Sequence, residues 1–227
     1  MKVTWLGGSG LLFENNGVKV LVDPYLSDSL ATSGKTRLIP IDEQYFDIIP
    51  DVIIITHSHP GHMDLDTLKK YLLRDKCITV LAAESAYAEI VKLGGNNNYV
   101  LLSPHSVWNE KGITFYSVKA EHSDRCAIGV ILDDQDMTYY VTGDTLYNFD
   151  VIDDCLDLAP DGVDYVFLPI NGRDNNMNAR DAADFAYEIG AKRAVPVHYG
   201  LFDSVCVDDF DFDDALVLTP YVAYELD

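Results

Sequence analysis

Three histidines fall within six residues in Thr56-His57-Ser58-His59-Pro60-Gly61-His62-Met63-Asp64. Imidazole is the commonest protein metal ligand, and one imidazole alone is more often a hydrogen-bonded structural group than a ligand. Three together are hard to satisfy as buried polar groups, so the cluster points to metal binding. Farther on, His122 stands in Ala120-Glu121-His122-Ser123, Asp144 in Val141-Thr142-Gly143-Asp144-Thr145, and His198 in Pro196-Val197-His198-Tyr199. A carboxylate such as Asp144 can bridge two cations, and histidines with a carboxylate form an ordinary zinc donor set.

These residues share a position. The apolar, β-branched run Val52-Ile53-Ile54-Ile55 reads as a buried strand ending at the histidine cluster. Runs near 113–119, 137–142 and 193–197 read as strands delivering His122, Asp144 and His198. Side chains gathered at the carboxyl ends of strands are the usual arrangement of an α/β site. Around them the pattern gives strands at 3–6, 11–14, 18–22, 78–82, 98–102, 127–132 and 165–169. Helices are expected near 65–74, 84–93, 147–156 and 179–189, the last capped by Asn178 and closed by Gly190. Asn15-Asn16-Gly17 and Asp133-Asp134-Gln135-Asp136 are hairpin signals, and 25–46 reads as an irregular excursion. Two strand-rich halves with added helices fit two sheets packed together, helices outside, which covers both apolar faces.

Composition narrows the function. The chain has 227 residues, 48% hydrophobic, which suits one large domain or at most two small ones, and no repeat or low-complexity linker divides it. A net charge of −21 argues against nucleic acid and anionic membrane surfaces as partners, and leaves room for a small anionic substrate where local metal charge outweighs the global field. Met1-Lys2-Val3-Thr4-Trp5 runs straight into a strand pattern, with no secretory signal expected and no apolar run of membrane-spanning length. The four cysteines, Cys77, Cys126, Cys155 and Cys206, are scattered, and read as reduced, mostly buried packing thiols of a cytoplasmic protein. His105 reads as solvated, and the aspartates between 208 and 214 as a solvated acidic face.

In this order the residues resemble the metallo-β-lactamase fold superfamily, whose pattern is HxHxDH followed by His, Asp and His, each after a strand. The resemblance covers essentially the whole chain. Trp5-Leu6-Gly7-Gly8-Ser9-Gly10, Leu21-Val22-Asp23-Pro24 and Leu168-Pro169-Ile170-Asn171-Gly172-Arg173 with Met177-Asn178 look like the branch of L-ascorbate-6-phosphate lactonase and related metal-dependent hydrolases. It implies an α/β (α+β) fold, a four-layer αββα sandwich of two mixed sheets in a single domain over 1–227. It implies that His57, His59 and His122 hold one zinc or manganese ion and His62 and His198 a second, with Asp144 bridging. Asp23 would support a ligand histidine from behind. The branch also suggests a homo-oligomer.

The chain departs from the pattern at Gly61, where the family carries a metal-binding Asp. One or two ions per chain are therefore open, and Asp64 either swings in as a substitute catalytic carboxylate or caps the following helix. Asp144 and His198 are the other expected catalytic residues. Asn171, Arg173 and Tyr199 are candidate substrate contacts. Zinc lowers the pKa of bound water to about 7, so the expected reaction is hydroxide attack on an ester or lactone, a sugar-phosphate lactone included. Hydrolysis of a small or lipid phosphodiester is the alternative. A non-catalytic metal- or ligand-binding homologue, disabled at Gly61, is the rival from another class.

Overall fold

The computed structural model describes residues 1–227. In chain order the first elements are β1 (Lys2–Gly7), β2 (Gly10–Asn15), β3 (Val18–Val22), β4 (Val52–Ile55), α1 (Leu65–Leu72), β5 (Thr79–Ala83), α2 (Glu84–Val91) and β6 (Asn98–Leu102). Then come β7 (Val107–Glu110), β8 (Ile113–Lys119), β9 (Ile128–Asp133), β10 (Thr138–Val141), α3 (Phe149–Leu158), β11 (Tyr165–Pro169), α4 (Ala179–Glu188), β12 (Arg193–Val197) and β13 (Ala223–Glu225). The chain forms two compact units. No helix is long and apolar enough to cross a membrane.

The first unit comprises Met1–Leu102, Gly200–Ser204 and Leu218–Asp227. Its seven strands run in the order β13-β1-β2-β3-β4-β5-β6. The meander from β13 to β3 is antiparallel, and β3, β4, β5 and β6 are parallel. Asn16 and Gly17 take positive φ between the paired residues Asn15 and Val18, the two-residue hairpin their types favour. β4 is buried along its whole length, as expected of a parallel strand covered on both faces. Leu68, Tyr71 and Leu72 of α1 and Ala86 and Ile90 of α2 close one apolar core over Leu21, Ile53, Ile55 and Val80.

The second unit comprises Ser103–Tyr199 and Val205–Val217. Its six strands run β12-β11-β10-β9-β8-β7, antiparallel from β7 to β10 and parallel from β10 to β12. Asn178 caps α4 by accepting from the backbone N–H groups of Arg180 and Asp181. The helix then buries Ala182, Phe185 and Ala186 against Tyr140, Val166 and Leu168.

The α/β class and the two mixed sheets expected from the sequence are what the chain forms. Two short strands, β7 and β13, were not legible. The thiol expectation needs correcting: Cys155 is buried, but Cys126 is half-buried and Cys77 and Cys206 are exposed, because those three lie in loops. Burial pushes the Cys155 thiol up to about 12. His105 is exposed, as expected, yet its Nε2 lies 3.0 Å from Asp154 Oδ1. The 208–214 run exposes its aspartates while Phe210 and Phe212 enter the second unit's core.

Candidate metal centre

In the first unit the candidate ligands follow the carboxyl ends of the adjacent parallel strands β3 and β4. Asp23 directly follows β3 with φ 43°, a left-handed conformation that non-glycine residues seldom adopt. It is fully buried. The backbone N–H of Thr56 donates to its Oδ1 at 2.8 Å, and the Thr56 hydroxyl donates to its Oδ2 at 2.6 Å. His62 Nδ1 lies 2.7 Å from the same Oδ2. Since the carboxylate accepts, Nδ1 carries the proton and His62 Nε2 presents a lone pair. The resemblance implied a contact of this kind between Asp23 and a histidine.

The same logic fixes His57. The Thr56 hydroxyl has spent its hydrogen on Asp23, so at 3.0 Å it accepts from His57 Nδ1, leaving His57 Nε2 as a lone pair. That Nε2 is 3.1 Å from His59 Nδ1. Two nitrogens on one tetrahedral zinc, each bonded at about 2.0–2.1 Å, stand roughly 3.3 Å apart. The 3.1 Å between them is a hydrogen-bonding distance and is also compatible with both nitrogens reaching one ion.

Asp64 does not join them. Its Oδ2 accepts from the Thr67 backbone N–H at 3.2 Å and from the Thr67 hydroxyl at 2.5 Å, capping α1, while Oδ1 accepts from Ser29 at 3.0 Å. Of the two expectations for Asp64, the helix cap is the one found. Gly61 leaves open space where a Cβ would project, with no atom within 4 Å.

In the second unit three loops meet at Asp144. The Thr145 hydroxyl accepts from the Glu121 N–H at 3.0 Å, Leu146 N–H donates to Glu121 O at 2.9 Å, and Met177 N–H donates to Thr145 O at 3.0 Å. His122, Asp144 and the 171–178 loop are thereby tied to one another. Asp144 is 4% exposed. Its Oδ2 lies 3.8 Å from His122 Nε2 and its Oδ1 lies 3.3 Å from His198 Nε2. The carboxylate thus gives one oxygen to each histidine, which suits a group bridging two cations. His122 Nδ1 donates to Asn175 O at 3.1 Å, freeing Nε2 on the Asp144 side. His198 follows β12 with φ 56°, a second left-handed non-glycine residue at a site-bearing strand end.

The 171–178 loop carries two of the candidate substrate contacts. Asn171 is buried, with Nδ2 2.9 Å from His198 Nδ1 and Oδ1 accepting from the Arg173 N–H at 3.3 Å. Both ends of its amide are engaged inside the protein, one of them on a histidine. Arg173 is exposed and its guanidinium makes no ion pair. Tyr199 is half-buried and packs against the second unit's core. The Asn171 and Asn175 contacts were missed from sequence, because nothing in the spacing signals which loop atom will reach a histidine.

Comparison with known proteins agrees with this geometry. A metallo-β-lactamase fold protein of Bacillus subtilis superposes with a TM-score of 0.75 at 17% identity, covering 98% of each chain, which gives this protein the metallo-β-lactamase fold. The family described as "Beta-lactamase superfamily domain" matches residues 2–198, and the chain belongs to it. A UPF0173 metal-dependent hydrolase of Staphylococcus haemolyticus is 31% identical, over 95% of this chain and 93% of its own. The class so defined is that of metal-dependent hydrolases. An N-acyl-phosphatidylethanolamine-hydrolyzing phospholipase D of Saccharomyces cerevisiae is 24% identical over 88% of this chain and 47% of its own.

Proposed function

We propose that the protein hydrolyses an ester or lactone of a small, polar or anionic molecule at a centre of zinc or manganese. In this reading His57, His59 and His122 hold one ion, His62 and His198 a second, and Asp144 bridges them. The observation that carries it is the division of Asp144, one oxygen beside His122 and the other beside His198. The tetrahedral spacing of His57 Nε2 and His59 Nδ1 supports the same assignment. When bound, such ions supply a water acidified into the neutral range and charge to stabilise an oxyanion.

The chain's own residues do the rest. Asp23 and Thr56 hold His62 and His57 in the tautomers that present Nε2. Asn175 O does the same for His122. Arg173, exposed and unpaired on the loop beside Asn171, offers its cation to an anionic substrate group. A second reading, hydrolysis of a phosphodiester, draws on the similarity to the yeast phospholipase D.

A panel of lactones, carboxylic esters and phosphodiesters, assayed with zinc- or manganese-loaded protein, tests the proposal. Lactone or ester turnover that disappears in Asp144→Asn is expected. Turnover of phosphodiesters alone would move the assignment to the second reading.

A further inference from the structure

Asn171 does something the loop's sequence did not announce. It is buried, 27 positions from His198, and its amide meets the histidine ring at 2.9 Å. With Nδ2 donating to Nδ1, the ring proton of neutral His198 sits on Nε2, which faces Asp144 Oδ1 at 3.3 Å. A cation on Nε2 requires the other tautomer, with the proton on Nδ1. An amide can serve both. Turned by 180° about its last bond, Asn171 places Oδ1 against Nδ1–H and loses its 3.3 Å bond to the Arg173 N–H, the longer of its two contacts, which the amide NH2 then faces as a second donor.

We propose that Asn171 is a positioning residue that switches the tautomer of His198 by rotation of its amide, so that ion binding at His198 is weaker and more readily reversed than at a histidine backed by a carboxylate. This rests on the reading of His198 as a ligand. It makes the side chain at position 171 a control on the affinity of the second ion. Aspartate there can only accept, so it commits His198 to the Nδ1–H form before the ion arrives. Leucine supports neither form.

Zinc ions are titrated against a chromophoric chelator into wild type, Asn171→Asp, Asn171→Leu and His198→Ala. The ring tautomer of His198 is read in parallel from long-range proton–nitrogen correlations of histidine-labelled, metal-stripped protein. Asn171→Asp is expected to tighten the weaker ion about tenfold and to move His198 to the Nδ1–H pattern. Asn171→Leu is expected to weaken that ion about tenfold. If Asn171→Asp leaves both affinity and ring pattern as in wild type while His198→Ala loses an ion, the switch is wrong and the ligand assignment stands. If His198→Ala keeps full zinc stoichiometry, the ligand assignment itself fails.

Discussion

The two units orient their histidines by different means. In the first, a fully buried carboxylate stands behind two of the candidate ligands: Asp23 takes His62 directly and reaches His57 through the Thr56 hydroxyl. In the second, the supports are neutral and come from one loop, a backbone carbonyl at Asn175 for His122 and the Asn171 amide for His198. A carboxylate partner raises the basicity of a ligand imidazole and fixes its tautomer more firmly than an amide or carbonyl does. The first unit thus backs its rings with a buried charge, and the second with uncharged groups.

That contrast ranks the outcomes of substitution. Asp23→Asn removes the charge behind two histidines at once and should weaken metal binding on the order of 100-fold, the upper end for such supports. Competition with a chelator measures it, and a loss no larger than that of Asn171→Leu would erase the distinction between the units. Gly61→Asp adds a carboxylate where the family pattern has one, into space with no atom within 4 Å of the new Cβ. It should raise the affinity of the weaker ion roughly tenfold, measured by the same titration. Unchanged binding would mean that Gly61 is compensated locally.

Asn175 sharpens the comparison from the other side. It acts through its backbone, at φ 64°. Asn175→Gly should leave metal binding near wild type. Asn175→Val, unable to hold that conformation cheaply, should lose about 1–3 kcal/mol of stability and loosen the ion beside His122. Equal effects of the two, in denaturant melts and metal titrations, would argue that the side chain matters instead. The smallest effect lies in the second unit's core. Tyr140 is wholly buried with no hydrogen-bond partner for its hydroxyl, and burial holds that phenol well above its ordinary value. Tyr140→Phe should be neutral or stabilising by about 1 kcal/mol, read as a denaturation midpoint.

Much of this was legible in the sequence. The β-branched run at 52–55 located β4, and the His57–His62 cluster marked the loop that follows it. The 3.6-residue spacing of Ala182, Phe185, Ala186 and Ile189 gave α4 and its buried face. What the sequence hid depends on backbone conformation at single residues. Asp174 and Asn175 are left-handed without being glycine, and it is that turn which brings one loop against both His122 and His198. Asp64 had two readings that only coordinates separate, since a helix-capping carboxylate and a metal-facing one look identical in a chain. β13 has three residues, too few for an alternation to show.

The proposed function requires that His57, His59, His62, His122, Asp144 and His198 bind metal. Elemental analysis of wild type and Asp144→Ala, purified without added metal or chelator, tests it most directly. The account predicts one or two zinc or manganese ions per chain in wild type and a clear loss in the variant. Wild-type protein carrying no ion, even after soaking in zinc and manganese, would contradict it.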